Sequence, residues 1–463
     1  MSARHAGQQV NPFLTAPVGR LFLSNAVPMA VVMSMGGILN VIDGIFVGHF
    51  IGSDSLAAVS LTFPVAMVLS ALTTLAGGGM SSLMARQLGA GNRAAAGHIF
   101  AQAHGLVLAI SAGLVALWAL VGPPLVDSMA AGNPRVDGLA QEYLRIMILG
   151  APVQLLLGVH ADALRNEGRA GLIALLSVLV NLFNIGANWL GIVVLGLGIS
   201  GSALGTVAAQ ALGLALVVVT RGRDKGLLPL SVLRRQSWRG AWSQIIRLGL
   251  PLCLSLIGIA VVTSIVILSL RLSAGTEYDA VVAAYGVVTR LLGFAFLPQM
   301  AIALATQSII GNNAGAGRND RALAVLRLAM GTAFLWSLTV VLIGCFAGTA
   351  LGQCFSDDPA VIAAVATILR KMMLLYAWSG PILVLALYFQ ALGQPGRTAL
   401  LTLVKPWLLT PLLILTLSAS FGVSGIWLAF PIADMIILGL ALLIGPTVLR
   451  AAGTAAAPVE KRA

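Results

Sequence analysis

Residues 21–49 read LFLSNAVPMAVVMSMGGILNVIDGIFVGH, and this stretch decides the fold. The run is apolar over more than the roughly 20 residues that a helix needs to cross a bilayer. Its one acidic residue, Asp43, sits inside the run. A carboxylate at that depth costs several kcal/mol on insertion scales and is rarely present without a role.

The rest of the chain has the same apolar character. Of its 463 residues 59% are hydrophobic and 9% are charged, and the mean hydropathy is +0.98, which is typical of a polytopic membrane protein. Apolar runs long enough to span a bilayer can be laid out about twelve times. Because these runs are continuous rather than alternating, membrane-spanning strands are excluded. We therefore predict an all-α integral membrane protein with twelve transmembrane helices, and we expect no cleavable signal in the polar first twenty residues.

The net charge of +12 follows a pattern along the chain. Loops after even-numbered predicted helices carry fourteen Lys and Arg residues, whereas loops after odd-numbered ones carry two, Arg135 and Arg271. Basic residues accumulate on the cytoplasmic side of membrane proteins. This pattern predicts a multi-pass protein of the cell membrane with both termini in the cytoplasm, and it favours an orientation signal over nucleic-acid binding.

The chain also repeats itself. Gln87–Arg93 recurs as Asn313–Asn319 at an offset of 226, and Ala163–Arg169 recurs as Ala391–Arg397 at an offset of 228. Two shorter matches keep the same order and nearly the same offset. Six helices per copy put both copies into the membrane from the same side, related by a pseudo-twofold axis along the membrane normal. We predict an amino-terminal six-helix bundle over 1–221, a cytoplasmic linker over 222–245, and a carboxy-terminal bundle with a cytoplasmic tail over 246–463.

Several motifs carry a resemblance to a known family. They are Asn40-x-x-Asp43-Gly44-x-Phe46-Val47-Gly48, Leu56–Ser60 with Pro64, Gly89–Gly91, Ala283–Tyr285 with Arg290, and Gly311–Gly317. Their combination resembles the bacterial branch of the multidrug and toxic compound extrusion (MATE) transporters, over roughly residues 20–450. The resemblance implies a twelve-helix antiporter that expels amphipathic, often cationic compounds by using a proton or sodium gradient.

The resemblance also assigns roles to residues. It places the coupling carboxylate of helix 1 at Asp43, next to Asn40 of the same motif, and the proline that kinks that helix at Pro28. An Asn-x-x-x-Asp pair on helix 5 falls on Asn184 and Asn188, and a threonine of helix 6 falls on Thr206. Asn188 departs from the family pattern because an amide replaces the carboxylate.

Three uses are open to Asp43: proton carrier, sodium ligand or counter-ion of a cationic substrate. Removal from water favours the protonated form of a carboxyl group, so it could load and release a proton as access alternates. The alternative is a structural carboxylate held by donors such as Asn184 or Asn188. These two amides share one helix face because they are four residues apart, and they serve as site ligands or as interhelical contacts. Sodium prefers several hard oxygens, so a lone carboxylate favours protons.

The second half has no carboxylate at the matching position, which an offset of 226 places at Ser269. Its deep polar groups are Arg290, Gln307 and Asp434, which are candidates for the substrate cavity. We predict an ion pair between Arg290 and Asp434, with a role facing substrate as the alternative. Lys405 is a further deep cation for which the sequence names no partner.

Other residues fall near the predicted cavity or its ends. Met33, Met67, Phe63 and Tyr285 could line an adaptable cavity between the halves, although core or lipid-facing positions are common for such residues. Asp162 lies three residues before Arg165, within pairing distance on a helix, which favours a gate or folding role.

These features rank the function classes. The Gly89–Gly91 and Gly315–Gly317 turns lack the strand and the Gly-Lys-Ser/Thr ending of a phosphate-binding loop, so an ion gradient is the expected fuel. The leading prediction is a secondary active exporter. We expect it to act as a monomer in the lipid bilayer and to have no catalytic residues, metal or cofactor. The alternative is a flippase for lipids or lipid-linked precursors, which would need several cavity arginines. An intramembrane enzyme would need paired reactive residues within helices, and we predict none.

Overall fold

Each apolar run folds as a helix, because a helix bonds every backbone N–H and C=O within its own segment and the bilayer core offers no water to replace those bonds. The computed structural model describes residues 11–130, 132–223 and 228–454, with side chains described up to residue 445. All regular elements within these residues are helices. The all-α prediction is confirmed.

The first half contains six long helices. They are α1 (Val18–Phe46), α2 (Ser53–Gly89), α3 (Arg93–Met129), α4 (Pro134–Asn166), α5 (Ala170–Trp189) and α6 (Gly198–Arg223). Short π-helical turns extend α1 over Val47–Ile51 and α5 over Leu190–Val194. These two extensions lie against each other. The longest of these helices, at 37 residues, measure about 55 Å and therefore reach beyond the bilayer core.

The second half repeats the arrangement. Its helices are α7 (Trp242–Ser273), α8 (Tyr278–Gly315), α9 (Asn319–Phe346), α10 (Pro359–Met372 with Ser379–Ala391), α11 (Pro395–Val404 with Thr410–Phe421) and α12 (Val423–Thr454). The two parts of α10 are joined with a bend of 60°. A π-helical turn at Lys405–Leu409 joins the two parts of α11. Pro406 explains this turn, because proline has no N–H to complete the regular helical bonding.

Twelve crossings result from these helices. Ten segments of the described chain are long and apolar enough to span a bilayer. One of them, Pro395–Gly445, contains both α11 and α12, which reverse direction at Gly422 and pack side by side. Counting that segment as two crossings and the bent α10 as one gives twelve, which agrees with the prediction.

The predicted turns after α2 and α8 are tight, as expected. Gly91 and Gly317 adopt φ angles of 76° and 72°, which only glycine takes at low cost. The following Asn92 caps α3 by accepting a hydrogen bond from the Ala95 N–H at 3.1 Å. These glycines therefore serve to end helices and reverse the chain.

Apolar cores form inside each half and also across them. The start of α1 packs into a cluster with α8, α9 and α10 of the other half, while its second part contacts α5. Helix α2 contacts both α7 and α8. The predicted linker, 222–245, holds the short helix Ser231–Arg235 and the first turn of α7. Its residues 224–227 and the predicted tail beyond residue 454 lie outside the described residues, and the domain boundaries stay predictions.

Candidate functional site

The carboxylate of Asp43 lies near the end of α1, half-buried and facing α5. The Asn188 side-chain amide donates a hydrogen bond to Asp43 Oδ1 at 2.7 Å. Within the described chain no cation lies at ion-pair distance from this carboxylate. The carboxyl group is therefore bonded by an amide donor rather than paired with a basic side chain.

A chain of side-chain amides runs from Asp43 along α5 to α6. Asn188 Nδ2 also donates to Asn184 Oδ1 at 3.2 Å, and Asn184 Nδ2 donates to the Thr206 hydroxyl of α6 at 3.3 Å. Both asparagines are buried. A side chain at Gly205 would collide with Asn188, so glycine lets α6 approach the site closely. Three helices of one half thus contribute to one hydrogen-bonded chain that ends at the Asp43 carboxylate.

One oxygen at this site has no partner. Asn188 Oδ1 is buried and accepts no hydrogen bond among the described residues. Such an orphaned acceptor costs free energy, about 1–3 kcal/mol. The nitrogen of the same amide faces Asp43, so the arrangement suits an ionised carboxylate, which only accepts hydrogen bonds.

The two halves meet tightly at one end, which we call the sealed end and define by residues 75–89 of α2 and 301–315 of α8. Glycines permit this contact: Gly89 lies against the Asn312 carbonyl, and Gly315 lies against the Arg86 carbonyl, with no room for a Cβ. Nearly every side chain in these two stretches is buried. Toward the other end of α2 the packing loosens, and Phe63 is 61% exposed.

Arg165 of α4 lies in this sealed end with 2% of its side chain exposed. It pairs with Asp162 at 2.6 Å, as its spacing predicted, and donates to the Ser81 hydroxyl of α2 at 3.1 Å. It also donates across the interface to Ser308 at 3.0 Å and to Gln307 Oε1 at 3.3 Å. One buried guanidinium therefore joins both halves.

Further side-chain amides extend this network. Gln307 Nε2 donates to Gln390 Oε1 at 2.7 Å, and Gln390 donates to the Leu248 carbonyl at 2.8 Å. The Ser82 hydroxyl donates to the Gln390 carbonyl oxygen. Opening the sealed end would break these hydrogen bonds or expose them to water. Each polar group that loses its buried partner would then need a hydrogen bond from water.

Known proteins share this architecture. The MatE family model matches the chain twice, over residues 28–190 and 251–415. The chain belongs to the MatE family. The two matches, one in each half, agree with the internal duplication.

Relatives of this MatE protein cover nearly all of it. The FAD transporter of Shewanella oneidensis is 27% identical over 438 residues, 92% of this chain and 94% of that protein. The multidrug export protein MepA of Staphylococcus haemolyticus is 26% identical over 424 residues, 89% and 90% of the two chains. A crystal structure of MATE in the bent conformation superposes with a TM-score of 0.88 at 24% identity, covering 97% of this chain and all of that one. An outward-facing multidrug resistance MATE transporter gives a TM-score of 0.84 at 25% identity, over 96% and 99% of the two chains.

Asn40 of the predicted coupling group and Pro28, the predicted kink of the helix, lie apart from the carboxylate. The Asn40 side chain is exposed and donates to the Gly36 carbonyl of its own helix at 2.9 Å. Pro28 lies inside the continuous α1, about four turns before Asp43. The structure therefore brings Asp43, Asn184, Asn188 and Thr206 together.

The predicted cavity residues of this MatE protein divide into two groups. Met33 and Met67 are half-buried and Phe63 is exposed. Tyr285 is instead a core residue of the second half, with its ring 5.6 Å from that of Trp427. Gln307 is fully buried in the network of the sealed end, because α2 and α8 are in contact there.

The predicted pair of Arg290 with Asp434 is wrong. Asp434 of α12 is bound by the Lys405 ammonium, while Arg290 is exposed on α8. The π-helical turn that begins at Lys405 brings it beside α12. Asp434 is the buried partner, with 5% of its side chain exposed, whereas 30% of the Lys405 side chain is exposed.

Sequence reasoning missed contributors to the network of the sealed end. Ser81 and Ser308 lie in the sealed end, Gln390 of α10 bonds to it, and none of the three carries a motif of its own. A signal for them existed in the glycine-rich runs around Gly79 and Gly311, which predict close helix contacts.

Proposed function

We propose that this MatE protein is a secondary active antiporter that exports amphipathic, cationic compounds in exchange for protons by alternating access. The observation that carries the proposal is the Asp43 carboxylate, bonded by Asn188 and without a cationic partner in the described chain. A membrane-embedded carboxylate that no residue neutralises is available for a proton or a cationic substrate. Relatives named as multidrug export proteins support this substrate class.

Exchange follows from the competition for one negative charge. When Asp43 is ionised, it accepts the Asn188 hydrogen bond and attracts a cation. When it is protonated, the charge that attracts the substrate is gone, so the proton and the substrate exclude each other. Protonation also weakens the bond that ties α1 to α5, since charge-assisted hydrogen bonds are the stronger ones. Pro28 lowers the cost of bending α1 when that tie loosens.

Protons suit the site better than sodium. A sodium ion seeks several oxygen ligands with at least one carboxylate. Here Asn188 presents its amide nitrogen to Asp43, and its oxygen accepts no hydrogen bond among the described residues. No cluster of three acidic, His or Cys side chains lies together in the described part of the chain.

We assign the sealed end to the cytoplasm of a bacterial cell. Arg86, Arg93, Arg318 and Arg321 lie at this end, and basic residues accumulate on the cytoplasmic side. Both termini then face the cytoplasm, and the looser end faces outward. The antiporter acts as a monomer within the inner membrane.

An anionic substrate is a second possibility, because one relative is named an FAD transporter. Its phosphates would need cations within the helices. Of the two deep cations in the second half, Lys405 is held by Asp434, which leaves Arg290. The same scarcity of cations weighs against a flippase for pyrophosphate-linked lipids. Competition of a flavin dinucleotide against a fluorescent cation in the assay below separates these classes.

The test is transport of a fluorescent organic cation in proteoliposomes with an imposed pH gradient or an imposed sodium gradient. We expect the wild type to respond to the pH gradient and Asp43→Asn to respond to neither. Asp54→Asn is the matched control, because 43% of the Asp54 side chain is exposed and its carboxylate is paired with Arg135 at 3.0 Å. Normal export by Asp43→Asn under both gradients would overturn the mechanism. Export driven by the sodium gradient, or weaker substrate binding on adding sodium at fixed pH, would overturn the preference for protons.

A further inference from the structure

The segment just before α1 enters the sealed end. Residues Asn11–Ala16, which we call the plug, include a short helix at Pro12–Thr15 whose first turn is capped by Asn11. Phe13 of the plug is fully buried. The first twenty residues are polar overall, so a fully buried aromatic ring before the first membrane helix is unexpected.

The second half binds the backbone of the plug. Asn313 Nδ2 donates to the Phe13 carbonyl at 3.2 Å, and Arg318 donates to the Leu14 carbonyl at 2.6 Å. Arg321 donates to the Ala16 carbonyl and, at 3.4 Å, to the Phe13 carbonyl. The Phe13 ring belongs to an apolar cluster built from α8, α9, α10 and the start of α1.

The plug also contacts the first half. Pro12 and Phe13 lie against Gly168, where an added Cβ would be 3.1 Å from the Pro12 ring. Asn11 Nδ2 donates to Asn312 Oδ1 of α8 at 2.8 Å and lies 3.5 Å from the Leu88 carbonyl of α2. The plug is continuous with α1 of the first half, so its anchors on α8 and α9 cross the interface between halves.

We propose that the plug holds the sealed end closed, and that Phe13 leaves its pocket each time this end opens. The halves cannot separate here while two arginines and an asparagine of the second half hold the chain that leads into α1. Release of the plug becomes a step of the transport cycle. This inference rests on the alternating access proposed above, but it does not depend on the coupling ion.

The test measures the opening directly. Spin labels at Ala94→Cys and Gly396→Cys, in a variant without native cysteines, report the distance between halves, because both positions are exposed and Gly396 has open space around it. Loss of the buried ring by Phe13→Ala should raise the population of the longer distance about tenfold. Phe421→Ala, at a ring that is 63% exposed, is the matched control and should change nothing. An unchanged distribution in Phe13→Ala would refute the plug.

A second variant keeps Phe13 and covers the case in which Phe13→Ala does not fold. Leu14→Cys with Arg318→Cys, joined by a short cleavable thiol reagent, should stop transport, and cleavage should restore it. Full transport in the joined protein would also refute the plug. The spin-label distances need no gradient, so a failure of proton coupling at Asp43 would leave this result standing and distinguishable.

Discussion

The two halves share one architecture but treat buried charge differently. In the first half the Asp43 carboxylate is bonded by the Asn188 amide, with no cation at pairing distance in the described chain. In the second half Asp434 is bound by Lys405. The position that matches Asp43 holds Ser269, whose buried hydroxyl finds no partner among the described residues. The halves therefore share their helices, but among the described residues the membrane-embedded carboxylate without a cationic partner lies in the first half.

The largest effect should come from moving the carboxylate between halves. Asp43→Ser removes it, and we expect transport driven by a pH gradient to fall to background. Adding Ser269→Asp should not restore transport, because no amide chain receives the new charge there. A buried, unpaired carboxylate should also lower the free energy of unfolding by roughly 3 kcal/mol. Liposome transport and thermal unfolding of the single and double variants measure both effects.

Recovery of gradient-driven transport in the double variant would contradict this asymmetry. It would mean that either half can carry the coupling charge. Ser269→Ala provides the control, because it removes a hydroxyl that makes no hydrogen bond within the described residues and adds no charge.

A second prediction concerns the ion pair of the second half. Asp434→Leu leaves the Lys405 ammonium unpaired and should cost about 3 kcal/mol of unfolding free energy. Asp434→Leu combined with Lys405→Met should recover most of that loss, because the desolvated charges are then gone together. A double-mutant cycle on denaturant unfolding in detergent measures the interaction. The double variant, Asp434→Leu with Lys405→Met, should still export under a pH gradient. Loss of export driven by that gradient would show that the second half takes part in coupling.

Local spacing predicted the features that lie within one helix or one turn. Asp162 and Arg165 are three residues apart and pair as expected, and the four-residue spacing of Asn184 and Asn188 puts both amides on the face that meets Asp43. Sequence sufficed there because helical geometry fixes which side chains are neighbours.

Features that depend on the approach of distant helices were not predictable in this way. Lys405 pairs with Asp434 because the π-helical turn of α11 changes which side of that helix faces α12. Residue spacing alone does not predict how α11 is rotated relative to α12. Gln307 is buried because the two halves are in contact at the sealed end. That contact depends on how the halves are arranged, and residue spacing carries no information about it. Phe13 lies in the first twenty residues, whose polar composition gave no indication that its ring is fully buried.

The smallest predicted effect tests how far the amide chain of the first half supports Asp43. Asn184→Ala removes the bonds from Asn188 and to Thr206 but leaves the Asn188 bond to the carboxylate. An interhelical hydrogen bond in a membrane is worth about 0.6 kcal/mol on average, so we expect a transport rate that falls two- to threefold, by roughly that energy. Asn181→Ala is the matched control on the same helix, since the Asn181 amide nitrogen makes no hydrogen bond within the described chain. Equal rates in the two variants would show that Asn188 alone orients the carboxylate, because then the outer part of the amide chain contributes only packing.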